Sequence, residues 1–240
     1  MSILQSFSDL LWPRRCELCG RPSDRDGRHI CSGCLMRLPT VQQTGCCRVC
    51  ARPVAGNETD YLCEDCEKAP PRYDRAACAL RFEGRARDML LDFKFNRHLW
   101  LAKDFADWLE AAIRARFNVP EIDLVVPVPT TLFHYWDRGY NQTEILAREI
   151  AKRIERRLDA SSLKRKGRPK RQSSLTESER RENVKDTFSV RRPEWIRGRT
   201  ILLVDDILTT GSTVSAAAAA LKSSGASRVL VATLARSVRS

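Results

Sequence analysis

From about residue 75 onward, the apolar positions fall alternately into short continuous runs and stripes of helical spacing. The runs are AACALRF (76–82), IDLVVPV (122–128), TILLVD (200–205) and SRVLVATL (227–234). Runs of this kind read as strands buried on both faces. Between them, Ala86, Met89, Leu90 and Phe93 form a helical stripe ending near Lys94. Leu101, Phe105, Trp108, Leu109, Ala112 and Ile113 form a second, and Ala147, Ile150, Ala151, Ile154 and Leu158 a third. An alanine-rich helix starts at Ser212. A long loop runs from the end of 122–128 through Gly139, residues 160–174 read as a mobile basic loop, and Thr176 and Glu179 cap a short helix over 175–183. Such alternation predicts a parallel sheet covered on both faces.

Before residue 75 the pattern is different. Ile3, Phe7, Leu10 and Leu11 fit one face of a short helix; residues 16–66 are organised by cysteine. Cys16-x2-Cys19 is followed after eleven residues by Cys31-x2-Cys34, and Cys47-x2-Cys50 after twelve by Cys63-x2-Cys66. CELCGRP (16–22) and CRVCARP (47–53) repeat at a period of 31. Each unit has the spacing of a zinc ribbon, in which two knuckles close one tetrahedral site. A segment with so few large apolar side chains lacks other means of building a core. Four thiolates leave no open coordination position, so two structural zinc ions are expected. Knuckles of the two blocks could also pair crosswise. Cys46 could stand in for Cys47, or His29 for Cys31, at less regular spacing. Cys78 lies in a strand run and is expected to pack. EKAPPRYD (67–74) reads as a hinge between a ribbon module over 1–70 and an α/β domain over 71–240.

Composition narrows the classes. Hydrophobic residues make up 42% and charged residues 30%, an ordinary globular balance that excludes disorder as the main state. The longest uncharged run, Ile207–Leu221, is too short and polar to span a bilayer. The N-terminal segment carries Asp9 and no basic leader, so a cytoplasmic protein is expected. Lys and Arg number 42 against 30 Asp and Glu, a net +12. The excess lies beyond residue 72, and residues 152–171 alone hold ten basic and two acidic side chains. Such a field draws polyanions: nucleic acid, an anionic membrane surface or a phosphorylated small molecule. Lys164, Arg165, Lys166, Arg168, Lys170 and Arg171 read as a contact for single-stranded DNA or as a lid over an anionic ligand.

The stretch ILLVDDILTTGST (201–213) concentrates the chemistry. An apolar strand ends in two carboxylates, and a Thr/Gly/Ser loop then opens a helix. In open α/β sheets, ligands bind at the carboxyl ends of strands. Thr209, Thr210, Gly211, Ser212 and Thr213 can offer amides, hydroxyls and a helix N-terminus to a phosphate. Asp205 and Asp206 can accept hydrogen bonds from vicinal sugar hydroxyls. One loop thus matches a phosphorylated ribose; a buried strand with an acidic turn and a helix cap is the plainer alternative. A receiver domain carries its acidic pair near its start, whereas 34 residues follow Asp206. A P-loop is excluded because no Gly-Lys-Ser or Gly-Lys-Thr occurs.

VDDILTTGST resembles the phosphoribosyl-diphosphate (PRPP) motif of type I phosphoribosyltransferases. With VPVP (126–129), RGYNQ (138–142) and QSSLTESERRENV (172–184) behind the two ribbons, almost the whole chain is similar to the competence protein F family (ComF), required in several bacteria for DNA uptake during natural transformation. Relatives often carry Thr where this chain has Pro169. The resemblance implies a parallel-sheet type I phosphoribosyltransferase fold preceded by a small double zinc ribbon, and PRPP bound with Mg2+. Asp205 and Asp206 would hold the ribose hydroxyls, residues 209–213 the 5-phosphate, and Arg138, with Lys94 as second choice, the pyrophosphate. RGYNQ reads equally as a helix start, with Asn141 as N-cap and Glu144 in capping-box register. His98 and His134 are the histidines of this domain, and a lone histidine is more often structural than a general base. Three functions are compatible with these features: a phosphoribosyltransferase on an unidentified acceptor, a DNA-uptake accessory protein binding single-stranded DNA, or a scaffold whose ribbons dock onto competence-machinery proteins such as a helicase or membrane channel.

Overall fold

The computed structural model describes residues 14–43, 45–54, 60–130, 139–166 and 187–237. Short helices α1 (Ser32–Leu35) and α2 (Glu64–Lys68) carry the second knuckle of each cysteine block. Then come β1 (Arg75–Arg81), α3 (Gly84–Phe95), α4 (Ala102–Arg116), β2 (Leu124–Pro127), α5 (Gln142–Arg153) and β3 (Arg157–Leu158). β4 (Leu163–Arg165), β5 (Phe188–Val190), β6 (Thr200–Leu208), α6 (Ser212–Ser223) and β7 (Arg228–Arg236) complete the order. Five strands form one parallel sheet, β1-β7-β6-β2-β3, while β4 and β5 pair antiparallel as a separate sheet. Among the described residues no helix is long and apolar enough to cross a membrane.

Alternate residues of β6 feed two cores, because successive strand side chains face opposite sides. Leu202 and Val204 join Ala77, Val125 and Leu230 under Phe93, Phe105, Leu109 and Ile150 of the α3, α4 and α5 helices. Ile201 and Leu203 join Val126, Val231, Val214 and Leu221 on the side of α6. The cysteine blocks divide in the same way. Cys16, Ile30, Cys34 and Leu38 enter the first core, and Val41, Cys47, Cys50 and Cys66 the second. The segment between the blocks runs antiparallel along β1: the Val41 amide donates to Ala79 O at 2.9 Å and the Arg81 amide to Pro39 O at 2.7 Å. An edge that would otherwise offer unpaired backbone groups is thereby covered.

Buried charges fix both blocks to α4. Asp104, fully buried, accepts from Arg25 Nη1 at 3.0 Å and from the His29 amide at 2.9 Å. Arg116 donates to Gln43 O at 2.9 Å, to Cys47 O at 2.6 Å and to Cys46 Sγ at 3.1 Å. Removing Arg25 would strand the buried Asp104 charge, at a typical cost of about 3–5 kcal/mol.

Three local expectations are corrected. Leu158 belongs to β3, not the third helix, which stops at Arg153; Glu155 takes a positive φ of 55° and turns the chain back to the sheet. Residues 163–165 are strand, not loop, because Leu163 is buried and pairs with Val190. Glu144 closes no capping box: its carboxylate pairs with Arg148 at 3.0 Å, while Asn141 Oδ1 caps the Thr143 amide at 3.2 Å. The helices expected near residues 3–11 and over 175–183 lie outside the described residues.

Candidate functional site

The neighbours of β6 differ in length, and the difference opens a cleft. β2 pairs with it only as far as Pro127↔Val204, whereas β7 continues to Leu208↔Arg236. Asp205 and Asp206 are the first residues beyond the end of β2. With Lys94, Gln142, Arg165, Thr209 and Thr213 they line a cavity of about 400 Å³. Asp206 Oδ2 lies 3.0 Å from Lys94 Nζ and accepts from Gln142 Nε2 at 3.1 Å, while Oδ1 accepts from the Ile207 amide at 2.7 Å. Gln142 is buried, and its Oε1 has no partner among the described residues. Asp205 accepts from the Asp206 amide at 2.9 Å. Desolvation, reinforced by the charge of Asp206, pushes the Asp205 carboxyl up to about 8, against the opposing pull of that amide, Lys94 and Arg165. Asp206 is thus held by three partners, whereas Asp205 has the neighbouring amide as its one hydrogen-bond partner among the described residues.

The turn from β6 into α6 is made at Gly211, whose φ of 82° favours a residue without a side chain. Thr210 Oγ1 meets Ser212 Oγ at 3.0 Å. Thr209, Thr210, Ser212 and Thr213 are exposed, so hydroxyls and the first-turn amides of a twelve-residue helix stand together at the strand end.

The structure thus brings Asp205, Asp206, Thr209, Thr213 and Lys94 into one cavity, with Thr210, Gly211 and Ser212 completing the adjoining loop. Arg138, His134, Arg168, Lys170 and Arg171 lie outside the described residues. Arg165, grouped by sequence with Lys164 and Lys166, comes to the acidic cleft. Lys166 borders a separate cavity of about 590 Å³ with Arg72 and Lys222. His98 stacks on Trp100 at 4.5 Å and faces Glu17 at 3.8 Å, away from the cleft lining. Gln142 had no role assigned from sequence; the signal for it was its position as the first residue of the helix capped by Asn141.

The ten cysteines are free of disulfides, and eight of them form two groups. Cys16, Cys19, Cys31 and Cys34 make one, Cys47, Cys50, Cys63 and Cys66 the other, each with its Sγ atoms within 4.8 Å of one another. Cys19 and Cys31 Sγ are 3.8 Å apart, and Cys50 and Cys63 Sγ 3.6 Å. A tetrahedral zinc with Zn–S bonds of about 2.3 Å sets sulfurs ~3.8 Å apart. The donor sets therefore fit structural zinc, and pairing across the blocks does not occur. Neither Cys46 nor His29 is in a group. The Nε atoms of Arg52 and Arg236 are buried without partners among the described residues. Arg236 Nη2 reaches Cys50 Sγ at 3.8 Å, as expected for a cation beside a negatively charged thiolate cluster. Cys78 is fully buried and meets Thr233 Oγ1 at 3.0 Å, a packing role.

Comparison with known proteins agrees with both halves of the chain. Residues 142–239 match the phosphoribosyl transferase domain family, and residues 7–67 the double zinc ribbon domain family. Competence protein F of Haemophilus influenzae is 29% identical over 215 residues, covering 86% of this chain and 90% of that protein. DNA utilization protein YhgH of Escherichia coli (strain K12) is 28% identical over 231 residues, covering 94% and 98%. Competence protein ComFC of Streptococcus pneumoniae is 26% identical over 248 residues, covering 98% and 96%.

Proposed function

We propose that this chain, a member of the competence protein F family joining a double zinc ribbon to a phosphoribosyl transferase domain, binds PRPP in the cleft at the end of β6 and serves DNA uptake or use in the cytoplasm. The observation that carries the reading is the meeting of three chemistries in one cavity. Asp205 and Asp206 stand there beside the Thr209–Thr213 turn, with Lys94 and Arg165 facing the acidic pair; in this reading the carboxylates would accept from the ribose hydroxyls, the turn would hold the 5-phosphate and the cations would meet the pyrophosphate. Mg2+ would arrive on PRPP and supply neutralisation of the leaving pyrophosphate.

In phosphoribosyl transfer a nucleophile attacks the anomeric carbon as pyrophosphate departs, through a transition state with oxocarbenium character. The chain's own contribution is to orient the sugar and to place cations where charge develops. Among the described lining residues, Asp205 and Asp206 are the carboxylates placed to take a proton from an acceptor. The DNA role draws support from the competence and DNA-utilization names of the relatives. Calorimetric titration with PRPP and Mg2+, followed by assay of pyrophosphate release over candidate bases and DNA, tests the reading; absence of PRPP binding at millimolar ligand would end it.

A second reading, single-stranded DNA binding, is favoured by the placement of Lys166 in a basic cavity apart from the acidic cleft. Salt-dependent binding of an unstructured oligonucleotide would support it.

A further inference from the structure

We propose, on the premise that PRPP occupies the cleft, that the second zinc ribbon is the back wall of the phosphate turn, with Arg236 as the positioning residue that links the Cys47/Cys50/Cys63/Cys66 cluster to Thr209. The two zinc sites then differ in role: loading of the second governs affinity for the 5-phosphate, and loading of the first does not.

Arg236 ends β7, next to the strand that delivers the turn. Its side chain is 3% exposed. Nη1 donates to Leu208 O at 2.7 Å and to Thr209 O, holding the two carbonyls that enter the turn. Nη2 of the same planar group reaches Cys50 Sγ at 3.8 Å. A guanidinium stays charged when buried, so it needs a matching anion close by. A four-thiolate zinc cluster carries a formal charge of −2 and supplies one. Because the fork is rigid, the position of the cluster fixes that of the turn.

Independent contacts come from the chain just after the cluster. Tyr73, 4% exposed and seven residues past Cys66, places its hydroxyl 3.5 Å from where a side-chain carbon on Gly211 would lie. The neighbouring Arg72 amide donates to Ser215 Oγ in the first turn of α6 at 3.0 Å. The second ribbon thus supports the turn at its entry, and the segment that leaves it supports the apex and the helix start. By contrast, the first ribbon packs on the opposite core and ties to Asp104 and Asp107 of α4.

Four variants test this: Arg236→Gln, Arg236→Lys, Cys19→Ser and Cys50→Ser, each measured for zinc content, amide exchange over residues 208–215, and affinity for ribose 5-phosphate and, separately, for Mg2+-pyrophosphate. Arg236→Gln is expected to weaken ribose 5-phosphate at least tenfold and to speed exchange in the turn, while pyrophosphate affinity shifts less than threefold; Arg236→Lys should recover part of the loss. A merely destabilised chain would lose both ligands together. Cys19→Ser should release one zinc and leave ribose 5-phosphate affinity within threefold, whereas Cys50→Ser should lose its zinc and the affinity together. Equal effects of Cys19→Ser and Cys50→Ser, or an Arg236→Gln chain with unchanged exchange over 208–215, would overturn the proposal. Should the wild type bind neither ligand, the PRPP premise falls, and turn exchange in Arg236→Gln still decides whether the ribbon holds the turn.

Discussion

Lys94 Nζ lies 3.0 Å from Asp206 Oδ2, across the mouth left where β2 ends. One residue sits on a helix and the other on the central strand, 112 positions apart in sequence. The pair neutralises a carboxylate that is only 11% exposed while leaving Asp205 beside it without a salt bridge among the described residues. Replacing Lys94 by Met should strand the Asp206 charge. With the lysine 26% exposed, solvent screening reduces the cost to about 1–2 kcal/mol. A melting point lowered by ~2–8 °C and weaker PRPP binding are expected; an unchanged melting curve would show the ion pair to be energetically idle.

The acidic pair itself should be the most sensitive point for ligand. Asp205→Asn and Asp206→Asn each remove a charge-assisted hydrogen bond worth roughly 1.5–3 kcal/mol, a weakening of about ten- to a hundredfold in PRPP affinity. Metal analysis should still find full zinc in both variants, because neither carboxylate touches a cysteine group. Calorimetry with retained affinity would remove the pair from the site.

Affinity should also depend on pH, with a definite sign. Asp205 titrates at about 8 in the folded chain, against an ordinary value of 3.8. Between those values the folded chain holds a proton that the unfolded chain has released. Its contribution to stability therefore falls as pH rises through this window and levels off above about 8. Ligand binding that uses the carboxylate runs the other way: PRPP affinity should climb from pH 6 to 8, with proton release. Titrations in two buffers of different ionisation heat measure that proton directly, and a flat profile without release would mean Asp205 is already ionised.

For the metal sites, two zinc ions per chain are expected, and Cys46→Ala should keep both, since Cys46 serves Arg116 and not a cluster. Because both cysteine groups pack into the sheet's two cores, chelation should lower the stability of the whole chain and not merely unfold its first seventy residues. Circular dichroism during chelation reads this; an unaltered sheet signal after loss of both metals would contradict it.

The basic segment should split by strand alternation. Arg165→Gln should weaken PRPP binding, since that guanidinium lines the acidic cleft. The double variant Lys164→Gln/Lys166→Gln should instead flatten the salt dependence of single-stranded DNA binding, by about 0.7 in slope for each phosphate no longer neutralised, and leave PRPP nearly untouched. If the double variant loses PRPP and keeps DNA, all three cations belong to the cleft.

Features carried by local pattern were legible along the chain. Doubled Cys-x2-Cys spacing set the metal chemistry, continuous apolar runs set buried parallel strands, and VDDILTTGST set the strand–turn–helix that presents Asp205, Asp206 and the turn hydroxyls. Each cysteine block, apolar run and motif lies within 20 residues of chain. The remaining features arise where distant segments meet. That Lys94, Gln142 and Arg165 meet Asp205 and Asp206 depends on where β2 stops pairing and on which face of β4 Arg165 occupies. Strand register is a non-local property, and a shift of one residue would send Arg165 to the other side. Arg236 shows the same limit from another direction: it lies just beyond the apolar run 227–234, and only the fold buries it between Cys50 and Thr209. The sorting of the two cysteine blocks to opposite faces of one sheet was likewise hidden, because near-identical knuckles carry no mark of which core will receive them.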